Sequence, residues 1–413
     1  MKSVASNLAN LKPNLEWASL PLFDRTGWKR VRFGDVVKQL KEQVNPEADG
    51  IKRYVAGEHM ETENVHIRKW GTVGDGYLGP AFIRGFRKGQ VLYGSRRTYL
   101  KKVAVAEWDG VTANTTFVLE TDEGRMLQEL LPWLMLSERF TKHSVQESKG
   151  STNPYINFPD IAKFEFDLPP LDQQRRIAEI LWAVDEVIQR SEELHTSVLK
   201  AKDFFFDQEL NTGTANAPQT IQNLGAALKK IVAGKSPKAS NMPASLGEYG
   251  VLKVSAAGDG RYTETENKAL LNPNDFDSSI EVKTGMILVT RCNAVLTGIG
   301  RACAVEQTRP GLMLSDKTLQ LIPNDEIVDK IFLLQGLRSE PYRGFIERSA
   351  NGTDAKNVSQ ETLKASPFWL PPISVQTRIS QRIDEFAKAA SAISKNIGRQ
   401  REFRETLTNT TFL

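Results

Sequence analysis

The stretch Leu168-Pro-Pro-Leu-Asp-Gln-Gln-Arg-Arg-Ile177 recurs 202 residues later as Leu370-Pro-Pro-Ile-Ser-Val-Gln-Thr-Arg-Ile379. The two stretches share Leu, Pro, Pro, Gln, Arg and Ile in identical register. Because a Pro-Pro pair cannot lie inside a helix, each stretch predicts the point at which a turn-rich region gives way to a helix. A repeat at this spacing predicts two copies of one structural unit in the 413-residue chain.

Two further pairs of segments support this duplication. Gly89–Arg97 aligns with Gly285–Asn293, and Lys149–Asn153 aligns with Asn351–Ala355. All three pairs occur in the same order along the chain, which chance would rarely produce. Each copy is therefore interpreted as a mixed, turn-rich sequence followed by a helical region.

A long helical pattern follows each Pro-Pro pair. Asp172 and Ser374 are candidate N-caps, so helices are expected to begin near Gln173 and Val375. A first helix ending near Leu210 would be about 55 Å long. Apolar residues recur in steps of four and three, which for a single helix usually indicates packing against a core. Their matching positions in both copies favour a helix pair, with an interface of Ile177, Leu181, Val184 and Ile188 in the first helix and Ile379, Ile383, Phe386 and Ile393 in the second.

Short β-like runs dominate the rest of the sequence, with helical patterns at Met126–Phe140 and Asp329–Leu337. Each copy is therefore predicted to be an α+β domain with a curved, mostly antiparallel sheet. The polar, helix-breaking segment Asn211–Pro218 is expected to link the copies. The predicted organisation is one domain over 1–167, a central helical region over 168–212, a second domain over 213–369 and a C-terminal helical region over 370–413. The β-like runs are Gln90–Tyr93, Val103–Ala106, Thr116–Leu119, Met286–Val289 and Leu319–Ile322.

The net charge of only +4 hides an uneven distribution of charge. Between Ala81 and Ala106 there are seven cations and no acidic residue. Such a run can be a solvated strand face, but Lys and Arg can also neutralise phosphates, and Arg can bind guanine in bidentate fashion. The cations and an interleaved aromatic residue are candidate DNA contacts: Arg84, Arg87, Lys88, Arg96, Arg97, Tyr99, Lys101 and Lys102.

The second copy contains a weaker counterpart of this run. Asn293 aligns with Arg97, which would replace a donor suited to guanine by an amide suited to adenine. The polar loops before the two helices could bring short side chains and backbone N–H groups to phosphates, although ordinary surface turns have the same composition. The additional candidates are Lys149, Ser151, Lys235, Lys238, Arg291, Asn293, Arg301, Lys317 and Lys356.

The sequence offers no candidate catalytic, cofactor or metal site. Two cysteines and four histidines lack the spacing of a zinc site or a disulfide framework. Gly234-Lys-Ser236 lacks the first glycine of a phosphate-binding loop, and Asn153-Pro-Tyr155 lacks a proline of the adenine methyltransferase motif. No apolar run approaches the length of a membrane span, so a cytoplasmic protein that does not enter a membrane is expected.

The chain resembles a specificity subunit of a type I restriction-modification system. The family pattern Pro-Pro-Leu-x-Glu-Gln-x-x-Ile is matched at Pro169–Ile177, with Gln173 in the Glu position, and more loosely at Pro371–Ile379, with Val375 there. The strands after Gly89 and Gly285, the polar loops before the helices and the stretch Gly250–Ala257 support the match. These features cover nearly the whole chain.

The resemblance implies two target recognition domains held apart by an antiparallel pair of long helices. Each domain would read one half of a bipartite, asymmetric site in double-stranded DNA, and the helix length would set the distance between half-sites. The chain itself would be non-catalytic and bind no cofactor. Two modification subunits using S-adenosylmethionine would methylate adenine, and restriction subunits using ATP and Mg²⁺ would cleave the DNA.

Other classes of protein remain open on the residues alone. A specificity module of a related methyltransferase or nuclease system would have a similar arrangement. A fused enzyme would bind S-adenosylmethionine or Mg²⁺ by itself. A repeat-built scaffold would join proteins without salt-dependent binding to a DNA duplex.

Overall fold

The first copy of the repeat forms two small sheets with short helices. The computed structural model describes residues 24–258, 260–352 and 356–412. Strands of the first copy are β1 (Lys29–Arg32), β2 (Val37–Leu40), β3 (Arg53–Val55), β4 (Gly71–Thr72), β5 (Phe82–Phe86), β6 (Val91–Gly94), β7 (Val103–Val105), β8 (Gly110–Ala113), β9 (Thr116–Thr121) and β10 (Glu165–Leu168). Its helices are α1 (Phe33–Val36), α2 (Leu131–Leu136), α3 (Glu138–Gln146) and α4 (Phe158–Ile161).

The strands of the first copy pair mainly with antiparallel neighbours. One sheet has the order β2-β9-β6-β7, and the other has the order β4-β3-β8-β5 with a parallel β3–β8 pair. Strand β10 pairs with β1 immediately before the first Pro-Pro motif. The core beneath these strands is aromatic and aliphatic and includes Trp133, Phe140 and Phe166.

A long helix, α5 (Leu171–Asn216), begins directly after the first Pro-Pro pair. Asp172 therefore lies in the first turn of the helix, and the predicted N-cap at this residue is wrong. The predicted linker over Asn211–Pro218 is also wrong for most of its length, because the helix continues to Asn216. The Thr214 hydroxyl donates to the carbonyl of Leu210, and a Cβ at Gly213 would lie 2.3 Å from a ring atom of Trp369. Local helix bonding and close tertiary packing thus outweigh the turn-forming composition.

The second copy repeats these elements before a second long helix. Its strands are β11 (Ile221–Asn223), β12 (Leu228–Ala233), β13 (Gly250–Leu252), β14 (Asn267–Ala269), β15 (Ile287–Thr290), β16 (Cys292–Asn293), β17 (Ala302–Ala304), β18 (Leu312–Met313), β19 (Thr318–Pro323), β20 (Lys356–Asn357) and β21 (Pro367–Trp369). Its helices are α6 (Lys330–Gly336), α7 (Glu340–Ser349), α8 (Gln360–Ala365) and α9 (Ile373–Thr411). Ser374 lies inside the first turn of α9, so the predicted N-cap is wrong here as well.

The sheet topology confirms the duplication. The order β12-β19-β15-β17 corresponds strand for strand to β2-β9-β6-β7. The sheet β14-β13-β18 contains a parallel β13–β18 pair, as the first copy contains a parallel β3–β8 pair. The predicted α+β class with mostly antiparallel sheets is therefore correct. None of the described helices combines the length and apolar character needed to span a membrane.

The chain divides into two compact units, and both long helices contribute to each. Unit 1 extends to Glu192 and resumes at Lys395, whereas unit 2 covers Glu193–Ser394. In unit 1, Asp185 and Glu192 of α5 form ion pairs with Arg404 and Arg401 of α9, so the helices run antiparallel.

The same antiparallel direction is found within unit 2. Glu209 accepts two hydrogen bonds from the guanidinium of Arg378, at 3.0 and 2.8 Å. The rings of Phe205 and Phe386 lie 6.1 Å apart between centroids. Helix pairing is therefore present in each unit.

The predicted helix-pair residues divide between several environments. Ile177 and Leu181 are buried in the core of unit 1, which also contains Leu407 from α9. Ile379 and Ile383 are buried in the core of unit 2 together with Trp369. Ile188 is also buried. The other three predicted residues are half-buried: Val184, Phe386 and Ile393.

A buried glutamine fixes the start of each long helix. The Gln174 side chain accepts from the N–H of Leu127 at 2.9 Å and donates to the carbonyls of Arg125 and Pro169. Gln376 makes the corresponding set of bonds with Asp329, Ile327 and Pro371. Both side chains are fully buried. The glutamine shared by the repeated motifs thus joins each domain to its helix.

A buried charged network holds the 61–70 segment against the helix pair in unit 1. Nε2 of His66 lies 2.6 Å from Oδ2 of Asp185, and Nδ1 lies 3.3 Å from Oε1 of Glu107. Asp185 is almost wholly buried and also pairs with Arg404. The hydrogen bond to Asp185, opposed in part by burial, raises the pKa of His66 above its usual value.

We predict that Gln174→Ala and Gln376→Ala each destabilise the protein. Each truncation leaves three backbone groups unpaired at about 1–3 kcal/mol for each group, so the expected loss in the free energy of unfolding is at least about 3 kcal/mol. Urea denaturation followed by circular dichroism provides the measurement. Gln208→Ala is the matched control, because Gln208 is an exposed glutamine in α5. Losses equal to that of the control would contradict the structural role of the buried amides.

We also predict that the contribution of His66 to stability depends on pH. Because folding raises the pKa of His66, its stabilisation is fully present below the unfolded value near ~6.5 and is lost as the pH rises through the folded value. The difference in free energy of unfolding between the wild type and His66→Gln should therefore decrease from pH 6 toward alkaline pH. A pH-independent difference, or an imidazole titration by NMR below ~6.5, would contradict this prediction.

Candidate nucleic-acid interface

A hairpin loop in unit 1, residues 95–102, contains much of the predicted basic surface. It joins β6 to β7 and contains a turn of 3₁₀ helix over Thr98–Leu100. Arg97 and Lys101 flank this turn in the left-handed backbone region, with φ of 51° and 46°. Few residues with side chains adopt this conformation, so the surrounding contacts must hold it in place.

The polar 148–155 loop provides those contacts. The N–H of Arg97 donates to the carbonyl of Pro154 at 2.7 Å, and the N–H of Ile156 donates to the carbonyl of Ser95 at 2.9 Å. Lys149 and Tyr155 exchange two backbone hydrogen bonds, which close the loop. The two regions that the sequence predicted as separate DNA contacts therefore form one continuous surface.

The side chains on this surface differ in their freedom to bind a ligand. Arg96 and Arg97 are exposed, and within the described part of the chain neither guanidinium forms an ion pair. Tyr99 and Tyr155 are also largely exposed, and Ser151 lies on the open side of the 148–155 loop. The sequence analysis did not predict a role for Tyr155. The sequence shows Tyr155 only as an aromatic residue at the end of a polar loop, and this feature alone does not predict a binding role.

The lysines of the same surface bind groups of the protein itself. Lys101 lies 2.7 Å from Glu63, and the ammonium of Lys102 donates to the carbonyl of Gly57. Lys149 lies 2.9 Å from Asp160. This hydrogen bond raises the pKa of Lys149 and lowers that of Asp160. Arg96 and Arg97 are therefore the cations most available to a ligand on this surface.

The remaining cations of the Ala81–Ala106 run lie elsewhere. Arg87 and Lys88 precede β6, whereas the hairpin loop follows it. The arginine and lysine side chains therefore lie near the end of β6 opposite to the loop. Arg87 pairs with Glu42 at 3.0 Å, and the N–H of Lys88 donates to Asp109. Arg84 lies in β5, and its Nε and one terminal nitrogen are buried without a hydrogen-bond partner in the described structure. A continuous run in sequence therefore becomes several separate sites.

Unit 2 contains the equivalent pair of loops. The 291–301 loop follows β15, and the bridges Cys292–Asn357 and Asn351–Asn357 correspond to Arg96–Tyr155 and Lys149–Tyr155. The 350–357 loop approaches in the same manner, although its residues 353–355 lie outside the described residues. The backbone arrangement is thus repeated in both units.

The polar side chains of the 291–301 loop mainly bind the loop itself. Oδ1 of Asn293 accepts from the N–H of Val295 at 3.0 Å, and its amide packs so closely on Gly298 that a Cβ there would lie 2.3 Å from Nδ2. Arg301 donates to the carbonyl of Thr297 at 2.7 Å. Arg291 donates to Asn357 at the weak distance of 3.3 Å. Asn293 therefore has a structural role that its alignment with Arg97 did not reveal.

The predicted lysines of unit 2 lie around this loop and on the neighbouring 234–240 segment. Lys235 pairs with Asp277 at 2.7 Å, and its hydrogen bond, with those of Ser279, lowers the pKa of Asp277 to about 2. Lys356 donates to the carbonyl of Gly352 at 2.6 Å. Lys238 and Lys317 are exposed and form no ion pair within the described part of the chain.

The residues described in the structure bring together no group of three or more potential metal-ligating side chains. The loops instead present guanidinium, ammonium, hydroxyl and backbone N–H groups. This set of donors suits phosphate oxygens and the acceptor atoms of base edges.

Comparison with known proteins shows which family of proteins the chain resembles. Residues 26–199 match the family model of the type I restriction modification DNA specificity domain. The EcoEI specificity subunit of Escherichia coli is 33% identical over 181 residues, which cover 42% of this chain and 30% of that subunit. The MjaVIII specificity subunit of Methanocaldococcus jannaschii is 22% identical over 387 residues, which cover 86% of this chain and 85% of that subunit.

A solved structure agrees in fold. A chain of a type I R-M system has a TM-score of 0.54 at 19% identity, covering 94% of this chain and 97% of that chain. These findings confirm the predicted resemblance to type I restriction-modification specificity subunits. The curated relatives are named as specificity subunits, in agreement with the prediction of a non-catalytic chain.

Proposed function

We propose that this protein recognises a specific sequence of double-stranded DNA for a type I restriction-modification complex. Each unit would read one half of a bipartite, asymmetric site and direct partner subunits to methylate adenine or cleave the DNA. The observation that supports this proposal most directly is the repeated pair of loops, which in unit 1 presents Arg96 and Arg97 with no ion pair to any residue that the structure describes. The catalytic groups would all belong to partners.

The geometry of the 95–102 loop suits base reading. A guanidinium can donate two parallel hydrogen bonds to guanine O6 and N7, and this discriminates by ~1–3 kcal/mol against other bases. The anchored backbone of Arg97 limits the conformational freedom of the loop, which lowers the entropic cost of binding. Tyr99 and Tyr155 add exposed aromatic faces and hydroxyl groups beside the arginines.

The helix pair offers a surface for protein partners. In unit 1, a groove of about 350 Å³ is lined almost entirely by apolar atoms, including Val184, Val187 and Phe403. We assign this surface to one of two modification subunits, which would supply S-adenosylmethionine. Restriction subunits would supply the ATP- and Mg²⁺-dependent cleavage. The target recognition domains would be residues 1–167 and 213–369, joined by the helical regions 168–212 and 370–413.

We predict that Arg96→Ala combined with Arg97→Ala weakens DNA binding and relaxes sequence preference. At ~1–3 kcal/mol for each good bidentate contact, the loss of two such contacts is expected to cost about 2–6 kcal/mol. Gel-shift titrations of the chain with its modification subunits, on cognate and scrambled duplexes, measure both quantities.

The matched control for this experiment is Arg87→Ala with Lys88→Ala. It removes the same charge from the same sequence run but near the opposite end of β6. Equal affinities and equal preferences for wild type and the Arg96/Arg97 variant would refute the assignment. An equal loss in the control would instead indicate a general effect of charge.

We predict further that the length of the helices sets the half-site separation. Deleting one heptad from each helix, residues 193–199 and 388–394, should shorten the preferred spacer by about three base pairs, because seven helical residues span ~10 Å. Long-read sequencing of methylated DNA identifies the recognised motif. An unchanged spacer in an active complex is incompatible with the helices acting as a ruler. Deletion of a heptad from α5 alone is the control for loss of folding, and it should abolish methylation.

A further inference from the structure

A basic cleft lies beside the 291–301 loop in unit 2. Its volume is about 470 Å³, and its walls are the 236–239 segment, the end of β13 with the residues after it, β14 and the turn before β19. Three lysines from different walls line the cleft: Lys253, Lys268 and Lys317. Only Lys317 is among the residues that the sequence analysis predicted.

The acidic residues beside the cleft are already engaged. Glu266 accepts from the Ser255 hydroxyl and lies 3.7 Å from Lys253. Asp316 accepts from the Ser236 hydroxyl. Lys268 and Lys317, by contrast, form no ion pair within the described residues, and the three lysines outnumber the two neighbouring carboxylates, so the cleft keeps a net positive charge.

The cleft is continuous with the candidate DNA-binding loop. The carbonyl of Lys317 accepts from the N–H of Arg291 at 2.9 Å, and Thr290 pairs with Thr318 in the sheet. Lys317 therefore lies at the end of β15 from which the 291–301 loop begins. A duplex bound to that loop would place its backbone close to the cleft.

Unit 1 has no lysine at the position that corresponds to Lys317. Thr115 occupies the position of Lys317, because its carbonyl accepts from the N–H of Ser95 at 3.1 Å as that of Lys317 accepts from Arg291. In the 95–102 hairpin of unit 1 the exposed arginines form no ion pair within the described residues, whereas the polar groups of the 291–301 loop in unit 2 bind the loop itself. The two units thus present different side chains on the same arrangement of the backbone.

We infer that this cleft binds the DNA sugar-phosphate backbone through Lys253, Lys268 and Lys317. Ammonium groups contact phosphates as point charges and lack the planar fork that reads guanine. Unit 2 would therefore hold its half-site more through phosphates, and unit 1 more through bases. This inference rests on the proposed DNA-binding function.

The test compares Lys268→Gln with Lys317→Gln, singly and together, in the full chain assembled with its modification subunits. Fluorescence anisotropy gives the affinity for cognate and scrambled duplexes over a range of salt concentrations. Each lost phosphate contact should lower the slope of log K against log salt by about 0.9, so the double variant should lose about 2. The ratio of cognate to scrambled affinity should stay unchanged.

Two further variants make the result specific. Lys283→Gln removes an exposed lysine near the opposite end of β15 and should leave the slope unchanged. Lys268→Arg with Lys317→Arg retains the charge and should restore the slope. Thermal unfolding of each assembled complex identifies any variant that fails to fold. If a glutamine variant fails to fold, the salt slope of the Lys268→Arg, Lys317→Arg variant is compared with that of the wild type instead.

The other results overturn the inference in distinguishable ways. If the glutamine variants of Lys268 and Lys317 have the same slope as Lys283→Gln, the cleft does not contact DNA, and the proposed function still stands. A changed cognate preference would mean base contacts instead of phosphate contacts. Absence of salt-dependent binding by the wild-type complex would refute the proposed function and the inference together.

Discussion

A buried glutamine amide connects the sheet-containing part of each unit to its long helix. Gln174 and Gln376 each accept from one backbone N–H and donate to two carbonyls, one of which belongs to the Pro-Pro pair. Pro169 and Pro371 precede the residues whose carbonyls accept the first backbone bond of each helix, so their own carbonyls accept from the glutamine side chains instead. A shorter polar side chain would not reach all three groups. The angle at which each helix leaves its domain therefore depends on this interaction.

Charge inside the helix pair adds a second constraint. Buried charges must be paired, and Asp185 meets this requirement through both Arg404 of the opposite helix and His66 of the 61–70 segment. Sliding one helix past the other would separate Asp185 from Arg404. Apolar residues at the helix interface stabilise the pair but fix its register less strictly than paired charges do, because one aliphatic contact can replace another. The buried network in unit 1 thus specifies register as well as stability.

Sequence alone predicted the duplication, the α+β class, the main strands and the long helices, because these depend on local patterns. The helix through Asn211–Asn216 was missed because Gly213 packs under Trp369, a contact across more than 150 residues. The basic run is evident in the sequence, but its division into separate sites was not predictable from it. Glu42, Glu63 and Asp160 meet its cations or those of the adjoining loop only after folding. The sequence around Lys268 does not predict a binding role, because only the pairing of strands in the sheet brings this residue near Lys317.

The anchoring of the two loops has a consequence for how such a protein can diversify. Main-chain hydrogen bonds fix the 95–102 and 148–155 loops, and the same bonds recur in unit 2 around different side chains. Exposed positions such as Arg96 and Lys317 contribute little to the cores. Mutation there can change the contacts with a ligand at small cost to folding, whereas mutation of the buried glutamines cannot. The fold therefore separates the positions free to acquire new specificity from those that keep the framework intact.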